Sequence, residues 1–137
     1  MKFLEKIKNL SRNKYFSWFL VIIYAGLIFY LSSLPEIIPP ILEGGFLEYI
    51  ANYSIKIGLA HFLEFGILSI LLFRALYVSK VKNAALYAVI ITVIYAISDE
   101  FHQIFVPNRI FDYRDIFFDI IGAIVAQFVG LKKILLK

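Results

Sequence analysis

The run Ser98-Asp99-Glu100-Phe101-His102-Gln103, followed by Pro107, Arg109, Asp112, Asp115 and Asp119, packs titratable side chains into one short stretch. His61 and Glu64 form a second such group upstream. An imidazole beside a carboxylate can move protons, because the carboxylate orients the ring or holds the proton that is passed. Neutral imidazole and carboxylate oxygens also bind Zn²⁺ or Mn²⁺, and His61, Glu64, Asp99 and His102 are the candidate ligands. The His61-x-x-Glu64 pair reverses the Glu-x-x-His spacing of di-metal helical bundles. The candidate catalytic set is thus His61, Glu64, Asp99, His102 and Asp119. Glu100, Gln103, Arg109 and Asp115 are candidate ligand-binding residues, with Arg109 and Arg114 suited to carboxylates or an anionic ligand. The chain has no cysteine, which removes thiolate nucleophiles, disulfides and Cys-based metal sites. Ser98 beside Asp99 is a weak nucleophile candidate.

These groups sit in a chain built for lipid. Of its 137 residues 61% are hydrophobic, and the mean hydropathy is +0.82. A soluble domain is about 45–50% apolar, and a small globule has too little interior to hide the excess. Most of the surface must therefore face lipid, in a single domain covering 1–137.

Charge-free stretches locate the spans. The first covers about 15–34, long enough at about 1.5 Å per residue to cross a hydrocarbon core of about 30 Å. It is too long for a signal peptide and lacks an A-x-A-like cleavage site, so it is expected to be retained. The second span covers about 57–78 and contains His61, Glu64 and Arg74. The third covers about 83–106, ended by Pro107. A fourth covers about 115–131 with Asp119 inside it. The expected fold class is an all-α membrane protein, a four-transmembrane-helix bundle. Between spans one and two lies a loop with Pro39-Pro40 and Gly44-Gly45. Within it Phe46–Tyr53 reads as a short amphipathic helix on the membrane surface, either an aromatic anchor or a lid.

Basic residues orient the bundle. The N-terminal segment carries Lys2, Lys6, Lys8, Arg12 and Lys14, the second connection Arg74, Lys80 and Lys82, and the C-terminus Lys132, Lys133 and Lys137. Four spans put all of these on one side, which makes both termini cytoplasmic. That side then holds eleven bases and one acid, against three bases and nine acids on the other. Insertion and anionic lipid account for the net charge of +4, so nucleic acid is not an expected partner. Arg74 reads as an anchor reaching the cytoplasmic interface.

This topology gathers the polar residues. His61 and Glu64 lie in the outer turns of the second span. Asp99, Glu100, His102 and Gln103 end the third, and Asp115 and Asp119 begin the fourth. Helical spacing puts His61 with Glu64, Asp99 with His102 and Gln103, and Asp115 with Asp119. Facing these stripes inward spares lipid the charges and builds a wet, outward-facing pocket. A structural role suffices for Glu100 and Asp112 taken singly, since charges near helix ends reach the interface or pair with Arg109 and Arg114.

The chain resembles the VanZ-like family of small bacterial membrane proteins, named for a factor linked to teicoplanin resistance. The resemblance begins at Phe29-Tyr30-Leu31-Ser32-Ser33 and continues through His61-Phe62-Leu63-Glu64-Phe65-Gly66. It is strongest over Asp99-Glu100-Phe101-His102-Gln103 with Pro107-Asn108-Arg109, then Asp115 and Asp119-Ile120-Ile121-Gly122-Ala123. Asn108 stands where the family often has Gly, and both suit a left-handed turn. The resemblance implies a multi-pass protein of the bacterial cytoplasmic membrane and cell envelope and, in some members, reduced glycopeptide sensitivity.

Two functions follow closely matched. One is a binding or shielding protein whose pocket holds a lipid headgroup, a lipid-linked cell-wall precursor or a lipoglycopeptide. The other is an acid/base or metal-dependent enzyme acting on an envelope lipid, with His61 or His102 as base and Asp99 or Asp119 orienting it. A proton-coupled transporter ranks behind both, because no comparable ladder of acids or histidines continues toward the cytoplasmic side.

Overall fold

A computed structural model describes residues 13–35 and 46–135, with side chains over 13–35 and 56–128. It is all-helical: α1 (Lys14–Ser32), α2 (Phe46–Val78), α3 (Ala84–Gln103) and α4 (Tyr113–Leu135). The loop with Pro39-Pro40 and Gly44-Gly45, and the N-terminal bases Lys2 to Arg12, lie outside the described residues. Three segments are long and apolar enough to cross a membrane: Lys14–Ser32, Lys56–Val78 and Ala84–Gln103. α4 has 23 residues, enough in length, but Arg114, Asp115, Asp119 and Gln127 make it more polar.

Local chemistry sets the helix ends. The Asn13 side chain accepts the N–H of Tyr15 at 2.9 Å and of Phe16 at 3.3 Å, capping α1. α2 closes with Lys80 at φ 60°, and the Val81 N–H reaches back to the Leu76 carbonyl at 3.0 Å. α3 stops at Gln103, three residues before the expected Val106. Tight turns follow, with the Phe105 N–H on His102 O and the Val106 N–H on Gln103 O, both at 3.0 Å. Pro107 therefore lies beyond the helix instead of terminating it. Asn108 adopts φ 62°, the left-handed turn its residue type suits. Asp112 caps α4, accepting the Arg114 N–H at 2.8 Å on its side chain and the Asp115 N–H at 3.1 Å on its carbonyl.

The expected surface helix over Phe46–Tyr53 is not a separate element. It is the first part of α2, which runs unbroken for 33 residues, about 50 Å at the usual rise. Ser54-Ile55-Lys56 holds neither Pro nor Gly, so nothing interrupts the hydrogen-bond ladder.

The helices alternate in direction. Trp18 Nε1 donates to Ser79 Oγ at 3.2 Å, joining the start of α1 to the end of α2. At the opposite end Ser33 Oγ lies 3.0 Å from His102 Nε2, so α1 runs with α3. Tyr95 OH donates to the Ala25 carbonyl at 2.7 Å along the same pair. α4 runs with α2: His61 meets Asp119, Gly66 meets Gly122 and Ala126, and Ser69 meets Ala123 and Gln127.

Close approach on that seam depends on glycine. A Cβ on Gly122 would overlap the Phe62 carbonyl, and one on Gly66 would lie 3.3 Å from the Gly122 carbonyl. Small interfacial residues of this kind let helix backbones pack tightly in lipid. The Gln127 amide adds polar glue, donating to Ser69 O at 2.9 Å and to Ser69 Oγ at 2.6 Å. The core is formed by Ile28, Phe65, Leu68, Leu72, Ala75, Ala88 and Ala96. Ile22, Tyr30, Leu63, Ile94 and Phe101 are exposed, while His61, Ser69, Asp99, Glu100 and Asp119 are buried. Polar groups inside and apolar ones outside is the arrangement a bilayer demands.

Candidate functional site

The ends of α1 and α3 and the middle turns of α2, residues 57 to 64, line a cavity of about 210 Å³. One wall is apolar, built by Ile28 and Leu31 of α1 with Ile57 and Ala60 of α2. The other is polar: His61 and Glu64 from α2, Asp99 and Gln103 from α3, and Arg109 from the following loop. Asp99 and Gln103 are one helical turn apart, and Gln103 Nε2 donates to Asp99 Oδ2 at 2.9 Å. The other carboxylate oxygen, Asp99 Oδ1, is buried without a partner. Arg109 bridges two elements, with Nη1 on Gln103 Oε1 and Nε on the Leu34 carbonyl, each at 3.4 Å.

Behind this cavity a second polar layer joins α2, α3 and α4. His61 Nδ1 lies 3.2 Å from Asp119 Oδ1, and Nε2 lies 3.7 Å from Asp115 Oδ2. Glu100, wholly buried, accepts the Asp112 N–H at 2.9 Å and so ties α3 to the loop before α4. Its Oε1 and Asp119 Oδ2 have no partner. At the rim Arg114 grips Asp112, Nη2 to Oδ2 at 2.6 Å. That contact first, and the Arg114 N–H second, hold the Asp112 carboxyl below its ordinary value.

The sequence model of the VanZ/LLP1 family matches residues 16–134. The chain belongs to the VanZ/LLP1 family. No curated protein and no solved structure matches it significantly. The family match spans α1 through α4, so both polar layers of this VanZ/LLP1 protein lie within it.

Five of the residues singled out in the sequence come together around the cavity: His61, Glu64, Asp99, Gln103 and Arg109. Asp115 and Asp119 converge on the far side of the His61 ring, and Glu100 on the α4 side of α3. His102 goes elsewhere. Its ring packs on Phe29 with centroids 4.4 Å apart, and its Nε2 meets Ser33. At about 100° per residue, position 102 is rotated about 60° from Asp99, enough to turn it from the cavity toward α1. Of the candidate ligands His61, Glu64, Asp99 and His102, only His61 belongs to a group at ligating separation among the described residues. Its companions there are Glu100 and Asp115.

Glu100 is not the interfacial charge that its place near a helix end allowed, since it is wholly buried. It continues the buried row Ala84, Ala88, Thr92, Ala96 at four-residue steps, and that row is the signal that places it inside. Ser32 on the cavity wall and Ser33 against His102 belong to the Leu31-Ser32-Ser33 segment, which received no role from the sequence alone.

Proposed function

We propose that this VanZ/LLP1 protein spans the bacterial cytoplasmic membrane four times with both termini inside. We further propose that it binds the phosphorylated headgroup of an envelope lipid or lipid-linked cell-wall precursor in its outer-facing cavity. α4 packs lengthwise against α2 from His61 to Ser69, which supports a fourth span despite its polarity. The basic surplus on the Lys80–Lys82 side supports the orientation.

The observation that carries the binding reading is Asp99. It is a buried carboxylate with one oxygen unpartnered, on the polar wall of a cavity whose facing wall is apolar. Such an oxygen calls for a hydroxyl or ammonium donor from a ligand, and the Arg109 guanidinium suits the accompanying phosphate. The apolar wall of Ile28, Leu31 and Ile57 suits the start of an acyl or isoprenoid chain. Drug-sized ligands occupy about 300–1,000 Å³, so about 210 Å³ fits a headgroup rather than an intact lipoglycopeptide. A change in teicoplanin sensitivity would then follow from the lipid that is held.

The test compares teicoplanin sensitivity, and lipids co-purified in nanodiscs, for wild type, Asp99→Asn and Arg109→Gln at matched protein levels. Loss of both the phenotype and the bound lipid is expected in each variant. Wild-type behaviour in both readouts would overturn the reading. The His61–Asp119 contact favours a second reading, acid/base turnover of the same headgroup with His61 as base. Conversion of the co-purified lipid by wild type but not by Asp119→Asn would distinguish it.

A further inference from the structure

We infer that His61, Glu100 and Asp115 form a divalent transition-metal site where α2, α3 and α4 meet, with Asp119 as its positioning residue. One donor atom from each of the three lies within 4.8 Å of the other two. The His61 Nε2 to Asp115 Oδ2 distance of 3.7 Å is too long for a hydrogen bond. It is close to the separation of about 3.4 Å between two donors each about 2.1 Å from a tetrahedral ion.

The other ring nitrogen supplies an independent constraint. With its proton on Nδ1, His61 donates to Asp119 Oδ1 at 3.2 Å and keeps the Nε2 lone pair on the Asp115 side. A carboxylate behind the imidazole is how metal-bound histidines are held in one tautomer and orientation. Glu100 provides a second observation that points to a ligand. Its side chain is wholly buried, yet Oε1 has no partner, and Asp119 Oδ2 is likewise bare. The neighbouring Arg114 guanidinium binds Asp112 at 2.6 Å. A dication offsets the Glu100 and Asp115 carboxylates with His61 neutral, which reduces the negative charge buried there with Asp119. One imidazole and two carboxylates suit Zn²⁺, a borderline ion, or Mn²⁺, an oxygen-preferring ion that also accepts imidazole, better than Ca²⁺ and Mg²⁺ with their all-oxygen shells. The site adjoins the headgroup cavity and shares His61 with it, but none of Asp99, Gln103 and Arg109, on which the headgroup reading rests.

The experiment uses the full chain purified in detergent on a tag without histidine and stripped with chelator. It is then titrated with Zn²⁺ or Mn²⁺ by calorimetry, with metal content and thermal unfolding measured in parallel. About one ion per chain is expected, together with a higher unfolding temperature. Glu100→Gln and Asp115→Asn, both close in shape to the native side chains, should lose stoichiometric binding. Asp119→Asn should weaken binding about 10–100-fold. His102→Ala, against α1, should bind as wild type and so excludes adventitious capture by a stray imidazole. The inference is overturned if neither ion binds stoichiometrically, or if folded Glu100→Gln and Asp115→Asn both bind as wild type. Should Glu100→Gln fail to fold, half-buried Asp115 carries the test. A failed headgroup reading would show in the Asp99 and Arg109 variants and leave this titration unchanged.

Discussion

Asp99 is a side chain whose surroundings favour function over stability. It is 5% exposed, receives one hydrogen bond from Gln103, and leaves Oδ1 bare in a bundle with an apolar exterior. A buried, unsatisfied polar group costs about 1–3 kcal/mol, and more when charged. Asp99→Asn removes the charge while keeping an acceptor for Gln103. We therefore expect the ligand-free variant to be about 1–3 kcal/mol more stable than wild type in detergent. A less stable Asp99→Asn would make Asp99 a structural member of the cavity wall instead. The Asp99–Gln103 pairing was legible in the sequence, because positions four apart on a helix share a face. The partner of Glu100 was not. It is the Asp112 backbone N–H, which only the fold of the 104–112 connection brings within reach. His102 misled for a related reason: i+3 spacing permits a shared face, but which neighbour packs there decides where the ring goes.

At the scale of elements, the seam between α2 and α4 sets the site, because it fixes how near Asp119 stands to His61. Gly122 faces the Phe62 carbonyl, and backbone cannot swing aside as a side chain can. A methyl at Gly122 must therefore push the two helices apart. Overpacking costs about 1–3 kcal/mol, and we expect Gly122→Ala at the upper end or beyond. Gly26 on α1 has nothing within 4 Å of an added Cβ. Gly26→Ala should be neutral, or more stable by up to about 1 kcal/mol through helix propensity. Thermal unfolding of both variants checks this, and equal effects would refute the close-approach argument. Hydropathy found α1, α2 and α3, because mean apolarity over the length of a span is a one-dimensional property. It could not show that α2 begins as early as Phe46 or that α3 ends at Gln103. The end of α3 depends on the turn hydrogen bonds that follow Gln103, and α2 runs on because its polar turns are still good helix, neither of which apolarity registers.

For the whole molecule, the direction of the helices and the distribution of charge lead to one arrangement. α1 and α3 run one way and α2 and α4 the other, so the polar layers at His61, Asp99 and Asp119 share one end of the bundle. The α2–α3 connection, with Lys80 and Lys82, lies at the opposite end. If basic loops stay inside, the cavity opens outward, where an envelope lipid headgroup can enter from the outer leaflet. Because the chain has no cysteine, single cysteines report on this without background. Ile110, 76% exposed in the α3–α4 connection, and Lys82, exposed in the α2–α3 connection, are suitable positions. Ile110→Cys should react with a membrane-impermeant maleimide in intact cells with a permeable outer boundary, and Lys82→Cys only after lysis. The reverse pattern would turn the cavity to the cytoplasm and exclude an outer-leaflet headgroup as its ligand. Labelling of both in intact cells would mean that these connections share a side, contrary to a membrane-spanning α3.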